Sequence, residues 1–456
     1  MRTGVAAAVL ALGGAAGSRR AWAAGAAGAG PDTGTRTAGA GEDAGTTREL
    51  TVLTSYQTEV VTRFERAFEH AHPRIRLRIV WRPASESFDF VRQPGRSGID
   101  VVWAASPRLF DALAEAGALV PAGVDRRGLP DRVGGTRIDD PSGRYLATEL
   151  AGYGFAIHPG YLARHHLPVP RDWPDLADPR YDGHLLVPNP NRVGFAPVLA
   201  DIPLQAYGWQ AGWAIWSRIM ANARSAGSGG PFLSDALTQG QAGIAPSIDF
   251  FVASAIARGA PLQFVYPRQG GINPGHVALL QGSPHADIAR RFIDFVLSDA
   301  GQSLLLHPDI RKLPVRPGVY AKAPAGYHDP FATAARGGYR YDNARGRPRL
   351  SALAALFDAS LVAPLPRLQE DWRAWYAAER DRDPADGRRR AVLAAARRLL
   401  EAPGATEAEL DDPSLQAIFE QRRRDPASAA RAEAIERRWQ AQAAERLARA
   451  AALLDR

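Results

Sequence analysis

The chain has 456 residues, 46% of them hydrophobic and 23% charged, and is therefore long enough for two or more domains. It contains no cysteine, which excludes disulfides, thiolate metal sites and cysteine nucleophiles. The net charge of +8 comes from arginine, because Lys312 and Lys322 are the only lysines. These charges are mixed with acids and do not form the basic stripe of a nucleic-acid-binding protein.

The N-terminal segment predicts an exported protein. A basic residue precedes an apolar run over residues 5–16, and Ala21 and Ala23 supply the small side chains that a signal peptidase requires. We therefore predict a signal peptide over residues 1–23 that is cleaved after Ala23. Residues 24–47 are rich in glycine, alanine and threonine, which predicts a disordered leader. With no cysteine for lipid attachment, the mature protein is expected to be free in the periplasm.

Strands and helices alternate from residue 50 onward. Apolar strands are predicted over residues 50–54, 75–81 and 99–103, and apolar residues at helical spacing follow the first of them. Ser106 and Pro107 predict the start of another helix, because serine caps helices and proline is favoured at their first position. This order predicts a mostly parallel α/β sheet with helices on both faces. In such sheets ligands bind at the carboxyl ends of the strands.

The middle of the chain continues this pattern. Residues 145–158 predict a pair of strands, residues 185–187 a buried strand, and residues 242–248 a strand followed by a helix over residues 250–257. Residues 234–240 predict a short helix. The chain has no GxSxG, P-loop or HExxH motif, so enzymatic chemistry has little support in the sequence, and an enzyme built on the same fold is the weakest alternative.

Residues 261–316 carry the most specific pattern in the chain. They predict a strand containing FVYP, a second strand containing VALL, a helix within SPHADIARRFIDFVLS and a tail that reads LPVRP. This ordered run resembles the segment of bacterial solute-binding proteins for ABC importers that returns the chain from the second lobe to the first. Residues 167–190, which read LPVPRDWPDLADPRYDGHLLVPNP, are similar to a second run of the same family.

The resemblance implies an α/β fold of the type 2 periplasmic binding protein kind, in which hinge strands join two lobes that close around a small ligand. The first lobe would comprise residues 48–150 and 270–325, the second residues 151–269, and a C-terminal helical extension residues 345–456. The implied function is the substrate-binding component of an ABC importer, with a small-molecule ligand and the inner-membrane permease as partners. The protein is expected to be a monomer. An alternative is a periplasmic sensor that presents a phosphoglycerate-like ligand to a membrane sensor kinase.

Polar groups at the strand-to-helix junctions are expected to line the cleft between the lobes. Hydroxyls, asparagine side chains and free N–H groups at helix starts suit an anion such as phosphate, phosphonate or carboxylate. The predicted site residues are Thr54, Ser55, Tyr56, Ala105 and Ser106 in the first lobe, and Asn189, Asn191, Arg192, Gly194, Phe195, Ser228, Gly229, Ser247 and Asp249 in the second. Some of these residues have an alternative role that involves no ligand. Ser106 and Asp249 can cap helices, Asn191 can close a turn, and Arg192 can lie on the solvent-exposed surface.

The same resemblance bears on the class of ligand. In ferric-iron binders of this superfamily, adjacent tyrosines bind the metal near the start of a helix that matches the one beginning at Asp249. Phe250 and Phe251 stand at the corresponding positions, and phenylalanine cannot coordinate iron. Ferric-iron binding is therefore the weaker alternative, and no metal or cofactor is predicted. The similarity extends over about residues 49–325 and points to the group that includes phosphoglycerate transport regulatory proteins.

The C-terminal part of the chain, from about residue 350 onward, predicts helices. One helix carries an apolar stripe among arginines and glutamates, formed by Ile435, Trp439, Ala443, Leu447, Ala451 and Leu454. Two interpretations stay open. The helices either pack on the first lobe and extend its core, or they present a docking surface to a partner.

Overall fold

The computed structural model describes residues 47–93, 98–227, 229 and 231–455. The predicted signal peptide and all but the last residue of the predicted leader therefore lie outside the described residues, and so does Ser228 of the predicted site. All of the described residues belong to one compact unit.

The described residues contain thirteen strands, eleven of which form one mixed sheet, while β5 and β6 form a separate hairpin. In chain order the strands are β1 (Arg48–Thr54), β2 (Ile75–Trp81), β3 (Val101–Ala104), β4 (Leu119–Val120), β5 (Arg132–Val133), β6 (Thr136–Arg137), β7 (Leu146–Ile157), β8 (Leu185–Pro188), β9 (Ala223–Ala226), β10 (Ile244–Ile248), β11 (Gln263–Val265), β12 (Gly271–Leu280) and β13 (Leu313–Pro314).

Helices flank the sheet and make up the C-terminal part of the described chain. The α-helices are α1 (Thr58–Ala71), α2 (Ala84–Arg92), α3 (Pro107–Glu115), α4 (Pro159–Arg164), α5 (Ala196–Tyr207), α6 (Trp209–Ala221), α7 (Pro231–Thr238), α8 (Asp249–Ala257), α9 (Ala286–Leu297), α10 (Asp299–Leu304), α11 (Pro330–Ala335), α12 (Asn343–Phe357), α13 (Leu365–Arg380), α14 (Gly387–Glu401), α15 (Glu407–Leu410), α16 (Pro413–Gln421) and α17 (Pro426–Leu454). Further turns are 3-10 helical over Trp173–Ala177, Pro179–Tyr181 and Pro317–Lys322, and π-helical over Asp358–Val362.

The main sheet has two halves that share one long strand. Its order is β2-β1-β3-β12-β7-β10-β8-β9, with β1 parallel to β2 and β3, and β7 antiparallel to both β12 and β10. β7 pairs with β12 up to Tyr153 and with β10 from Tyr153 onward. We call the part around β1–β3 the first half and the part around β8–β10 the second half. The carboxyl ends of β1 and β3 therefore face those of β8 and β10 across a gap, which β7 and β12 bridge.

β7 corrects one prediction. Residues 145–158 were predicted as a pair of strands, but β7 is one continuous strand of twelve buried residues. The glycines of β7 do not end the strand. They let neighbouring side chains and backbone groups lie close to its backbone. A Cβ on Gly152 would lie 2.6 Å from the Tyr266 ring, and one on Gly154 would lie 2.4 Å from a backbone carbonyl.

The first half is packed on both faces, as the alternation of side chains along its strands requires. Leu50 and Val52 of β1 belong to the core that α1 and α9 cover, with Phe64 of α1 fully buried there. Leu53 belongs to the core on the opposite face, where Phe110 of α3 is buried. This packing places the N-terminal ends of α1 and α3 at the gap.

The C-terminal helices pack on the second half, so the interpretation that they extend the core of the first lobe is wrong. Trp213 and Trp216 of α6 lie 6.1 and 5.1 Å from the Phe357 ring of α12, and the Trp372 indole N–H of α13 donates to the Ser217 hydroxyl at 3.0 Å. The physical reason lies in α6, whose Trp213 and Trp216 are buried in one core with apolar residues of α12 and α13. The extension removes these side chains from water.

The apolar stripe of α17 is buried within the extension. Trp439, Ala443 and Leu447 are each at most 1% exposed, and the Trp439 ring stacks on Phe419 of α16 at 5.5 Å. This stripe therefore holds the extension together. In the part of the chain that the structure describes, no single helix is long and apolar enough to cross a membrane. Among the described helices, one pair has that length and composition together, α12 with its π-helical turn and α13, and the two meet at a 56° bend.

Residues 339–349, which we call the strap, contact both halves of the sheet. On the first half, the Thr136 hydroxyl in the β5–β6 hairpin donates to the Tyr341 carbonyl at 2.9 Å. On the second half, the Asp342 N–H donates to Oε1 of Gln205 in α5 at 2.8 Å. The chain thus crosses from one half to the other outside the β7 and β12 bridge.

Candidate ligand-binding site

The first half presents its predicted site residues at the ends of β1 and β3, which pair with each other there. Thr54 is buried and its hydroxyl accepts the Tyr56 N–H at 3.1 Å, whereas Ser55, Ala105 and Ser106 are half-buried. Ser106 occupies the N-cap position of α3, but its side chain makes no capping hydrogen bond. The Ser106 hydroxyl is therefore not committed to the helix that it precedes.

Tyr56 belongs to a buried polar cluster at the base of the gap. Oε1 of Glu149 in β7 accepts hydrogen bonds from the Tyr56 hydroxyl and, at 3.2 Å, from the Lys312 ammonium group. Oε2 of Glu149 accepts from the Thr148 hydroxyl. Glu149 is 2% exposed and Lys312 is 7% exposed. Burial, followed by the charge of Glu149, raises the pKa of Tyr56 well above its usual value, so the phenol remains a donor.

The cluster fits against the backbone of β12 because residue 275 is glycine. A Cβ on Gly275 in β12 would lie 2.0 Å from Oε1 of Glu149 and 2.3 Å from the Tyr56 hydroxyl. The register of β12 with β7 shifts between Gly275 and His276, which marks a bulge at this point. Only glycine fits here without displacing the buried acid.

The two halves touch across the gap. The Lys312 ammonium group lies 4.8 Å from the centre of the Tyr56 ring and 5.4 Å from that of Phe250, which belongs to α8 in the second half. The Ser254 hydroxyl of α8 donates to Oε1 of Gln57 at 3.1 Å. The N-terminal end of α1 therefore meets α8 in this conformation.

The junction after β8 is shared with the C-terminal extension. Oδ1 of Asn189 accepts the Asn191 N–H at 2.8 Å, and its Nδ2 donates to Oδ1 of Asp358 in the π-helical turn, also at 2.8 Å. Asn189 is buried and held by these two bonds, whereas the Asn191 side chain is exposed. In this conformation Asn189 anchors the extension, and the Asn191 side chain has no such role in the described part of the chain.

The remaining residues of this junction form one surface with the start of α8. Arg192 and Gly194 are exposed, and the Phe195 ring lies 5.6 Å from Phe251. A Cβ on Gly229 would lie 3.1 Å from the Phe195 ring, so Gly229 packs onto this surface. The structure thus brings together residues that the sequence separates by more than thirty positions.

Ser247 and Asp249 carry polar atoms that are buried without a partner. Within the described part of the chain, the Ser247 hydroxyl and Oδ1 of Asp249 have no hydrogen-bond partner, which is uncommon for buried groups. Oδ2 of Asp249 accepts the Gly152 N–H at 2.7 Å and the Tyr266 hydroxyl at 2.9 Å. Asp249 also lines a cavity of about 310 Å³ beside Tyr266 and His328. Such unsatisfied groups favour a ligand-binding role for the start of α8.

Asp249 makes the stability of the protein depend on pH. Burial raises the pKa of its carboxyl to about 6, against the opposing hydrogen bonds from Gly152 and Tyr266. Because the carboxyl of an unfolded chain has a pKa of about 3.9, protonated Asp249 stabilises the fold at low pH. That stabilisation is lost as the pH rises from about 4 to 6.

We therefore expect the Asp249→Asn variant to gain stability relative to the native chain as the pH rises. The difference in the free energy of unfolding should grow by about 2–3 kcal/mol between pH 4 and pH 7.5, since one pKa unit corresponds to about 1.4 kcal/mol. Urea unfolding at a series of pH values measures it, with the exposed Asp235→Asn as the matched control. Parallel curves for the native chain and Asp249→Asn would contradict the prediction.

Three residues of the gap were missed by the sequence prediction. Glu149 and Lys312 form its buried ion pair, and Arg108 stands exposed at the start of α3. The charge of Arg108 opposes the burial that raises the pKa of Tyr153, so its guanidinium lies within electrostatic reach of β7. Two features of the sequence could have indicated the ion pair. Glu149 is the one charged residue in segment 145–157, and Lys312 is one of only two lysines in the chain.

The described residues contain no group of three or more histidine, aspartate or glutamate side chains that could hold a metal ion. At the start of α8 the Phe250 and Phe251 rings lie 4.1 Å apart. This end of the gap offers aromatic surface and one buried carboxyl group.

The chain belongs to the family of bacterial extracellular solute-binding proteins, whose family model matches residues 98–332, more than half of the chain. It is 27% identical over 338 residues to the phosphoglycerate transport regulatory protein PgtC of Salmonella typhimurium, covering 73% of this chain and 82% of that protein.

Solved structures show the fold. The periplasmic binding protein AfuA from Actinobacillus pleuropneumoniae, determined with fructose-6-phosphate bound, is 18% identical with a TM-score of 0.50, over 69% of this chain and 99% of that one. The apo ferric ion-binding protein A of Pasteurella haemolytica is 17% identical with a TM-score of 0.52, over 68% and 97%. The chain thus has the two-lobed fold of periplasmic binding proteins, and its C-terminal helices are added to it.

Proposed function

We propose that this chain is the substrate-binding component of an ABC importer, and that it captures a small anionic solute in the gap between its lobes. The solute would be phosphorylated, a phosphonate or a carboxylate. One observation carries the proposal: two exposed arginines stand at helix starts on opposite sides of the gap. They are Arg108 in the first turn of α3 and Arg192 shortly before α5, and in the described part of the chain neither has an ion-pair partner.

The surroundings of both arginines suit an anion. Ser55 and Ser106 are half-buried on the first side, and Asn191 is exposed on the second. The N-terminal ends of α3 and α5 add the positive ends of two helix dipoles. A guanidinium group binds phosphate or carboxylate through two parallel hydrogen bonds, which a flexible ammonium group does not match.

Ligand capture would be coupled to lobe movement. We assign residues 48–150 and 270–325 to the first lobe and residues 151–269 to the second, which the change of partner of β7 at Tyr153 supports. A solute that bridges the lobes would shift the protein towards its closed form, and the permease would recognise that form. The predicted signal peptide and the family support a monomeric, non-enzymatic protein of the periplasm.

A second candidate function is favoured by the name of one relative. The Salmonella protein is called a transport regulatory protein, so the same closed form could be presented to a membrane sensor kinase. Neighbouring genes distinguish the two functions. Permease and ATPase genes beside this one favour import, whereas a gene pair for a sensor kinase and its regulator favours signalling.

A thermal-shift screen of the chain from Ala24 onward tests the class of ligand. The panel contains phosphorylated three-carbon acids, phosphonates, carboxylates, polyamines, sugars and ferric citrate. A ligand at 100 times its dissociation constant adds about 2.7 kcal/mol of stability, and we expect this gain from an anion of the first three classes. Stabilisation by ferric citrate alone, or by none of the panel, would contradict the proposal. Recovery of the ligand unchanged would confirm binding without catalysis.

The arginine pair gives the sharper test. We expect Arg108→Gln and Arg192→Gln each to weaken binding of the identified anion by about tenfold or more, because hydrogen bonds to charged groups contribute about 1.5–3 kcal/mol. Ser55→Ala and Asn191→Ala should weaken it less. Arg66→Gln is the matched control, since Arg66 is an exposed arginine within α1. Isothermal titration calorimetry measures all five, and unchanged affinity in both gap arginine variants would refute the assignment.

A further inference from the structure

A second cavity, with charged side chains in a mostly apolar lining, lies at the seam between the first half and the C-terminal extension. Its volume is about 270 Å³, and residues 343–348 at the start of α12 form one wall. The opposite wall comes from the β6–β7 connection and from Pro274 and His276 of β12. The wall from α12 lies outside residues 98–332, which match the solute-binding family. The cavity is therefore separate from the gap residues assigned above.

Both walls of this cavity carry a guanidinium group with free donors. Arg137 of β6 has one weak ion pair, to Asp131 at 3.7 Å, and remains exposed. Arg347 of α12 binds Asp111 through a single nitrogen, which leaves its other N–H groups free among the described residues. The N-terminal end of α12, a helix of fifteen residues, lies beside them, and the Asp342 carboxylate caps its Ala344 and Arg345 N–H groups.

Asp139, the acid in the cavity wall, does not neutralise the positive charge of Arg137 and Arg347. Oδ2 of Asp139 accepts from the Arg126 guanidinium at 2.9 Å, and its Oδ1 accepts the Ala147 N–H at 2.6 Å. Both of its oxygens are therefore occupied. The cavity thus favours an anion.

His276 adds a more specific requirement. Its ring is 2% exposed, and Nε2 donates to the Ile138 carbonyl at 2.8 Å because a carbonyl can only accept. Burial lowers the pKa of His276 to about 4, so the ring is neutral at pH 7 and Nδ1 is an acceptor. Within the described chain Nδ1 has no donor. A ligand that carries an O–H group would supply the missing hydrogen bond.

We propose that this seam cavity binds a small anion that also carries a hydroxyl group or a protonated phosphate oxygen. The anion accepts from Arg137 on the first half and from Arg347 on the extension, and its O–H group donates to Nδ1 of His276. Such a ligand fastens the start of α12 to the first half. The proposal is independent of the solute bound in the gap.

Inorganic phosphate and sulfate test this assignment, because they match in size and shape while only phosphate carries an O–H group at neutral pH. In calorimetric titration of the full chain, we expect phosphate to bind at the seam about tenfold more tightly than sulfate, the effect of one hydrogen bond. Phosphate should also slow amide hydrogen exchange in residues 342–348. Equal affinity for the two anions, or no change in exchange there, would overturn the proposal.

Variants separate the seam from the gap. Arg137→Gln should abolish the protection of residues 342–348 by phosphate, whereas Arg108→Gln should leave it intact. His276→Phe should remove the preference for phosphate over sulfate. If that variant does not fold, Arg347→Gln serves in its place and should lower the affinity for both anions. Protection that persists in Arg137→Gln would refute the seam site.

Discussion

Replacing Arg349 by methionine should lower the free energy of unfolding by about 3–5 kcal/mol, the usual effect of removing one partner of a buried ion pair. Arg349 and Asp201 are both 0% exposed, and Oδ1 of Asp201 accepts from the guanidinium at 2.5 and 3.1 Å. Without Arg349, the Gln205 amide at 2.7 Å is the one hydrogen-bond donor that the Asp201 side chain keeps among the described residues. Urea unfolding followed by tryptophan fluorescence measures the change.

Arg345 provides the matched control one turn earlier on α12. Both arginines reach the carboxylates of Glu407 and Asp411. Arg345 does so at 2.7 and 3.5 Å, but its side chain is 47% exposed. Arg345→Met should therefore cost about 1 kcal/mol or less. Asp201→Leu combined with Arg349→Met should recover most of the loss, because no charge then remains buried. Equal destabilisation by the Arg345 and Arg349 single variants would show that the buried pair does not hold the extension.

Replacing Lys312 by methionine should also cost about 3–5 kcal/mol, because Glu149 would stay buried without a counter-charge. The Tyr56 and Thr148 hydroxyls remain as donors to Glu149 but carry no charge. Chemical denaturation measures the loss. Binding of the solute should weaken in the same variant, because Lys312 lies between the Tyr56 and Phe250 rings at the base of the gap.

Two comparisons make the Lys312 result specific. Lys322→Met removes the only other lysine of the chain, which is exposed, and should leave stability unchanged. Glu149→Gln combined with Lys312→Met should restore much of the stability, since the neutral amide oxygen can still accept from Tyr56 and the amide N–H can donate to the Thr148 hydroxyl. A double variant as unstable as Lys312→Met alone would mean that packing of the lysine side chain, and not its charge, stabilises this region.

The fold could be predicted because its signals are local. The predicted strand over residues 75–81 coincides with β2, where apolar and charged residues alternate, and the predicted helix over residues 250–257 differs from α8 by one residue. The start of β12 could not be predicted in this way. Gly271, Pro274 and Gly275 argue against a strand, but pairing with β7 imposes one there.

The predicted site shows the limit of local reasoning. Ser55 and Ser106 could be placed at the gap because any parallel sheet brings such junctions to one edge. The bond between Glu149 and Lys312, however, joins residues 163 positions apart, and Asn189 meets Asp358 across 169 positions. Such contacts depend on how the whole chain packs. The extension in particular packs on the second half, which no periodicity within α12–α17 could indicate.

The strap has a consequence for the rates of ligand exchange. Residues 339–349 are bonded to the first half at the β5–β6 hairpin, where a Cβ on Gly134 would lie 2.4 Å from the Tyr339 carbonyl, and to the second half at α5. If the lobes rotate apart about β7 and β12, one of these attachments must stretch or break. An attachment that is lost on opening stabilises the closed form relative to the open form. Departure of a solute requires opening, so the receptor holds each captured molecule for longer.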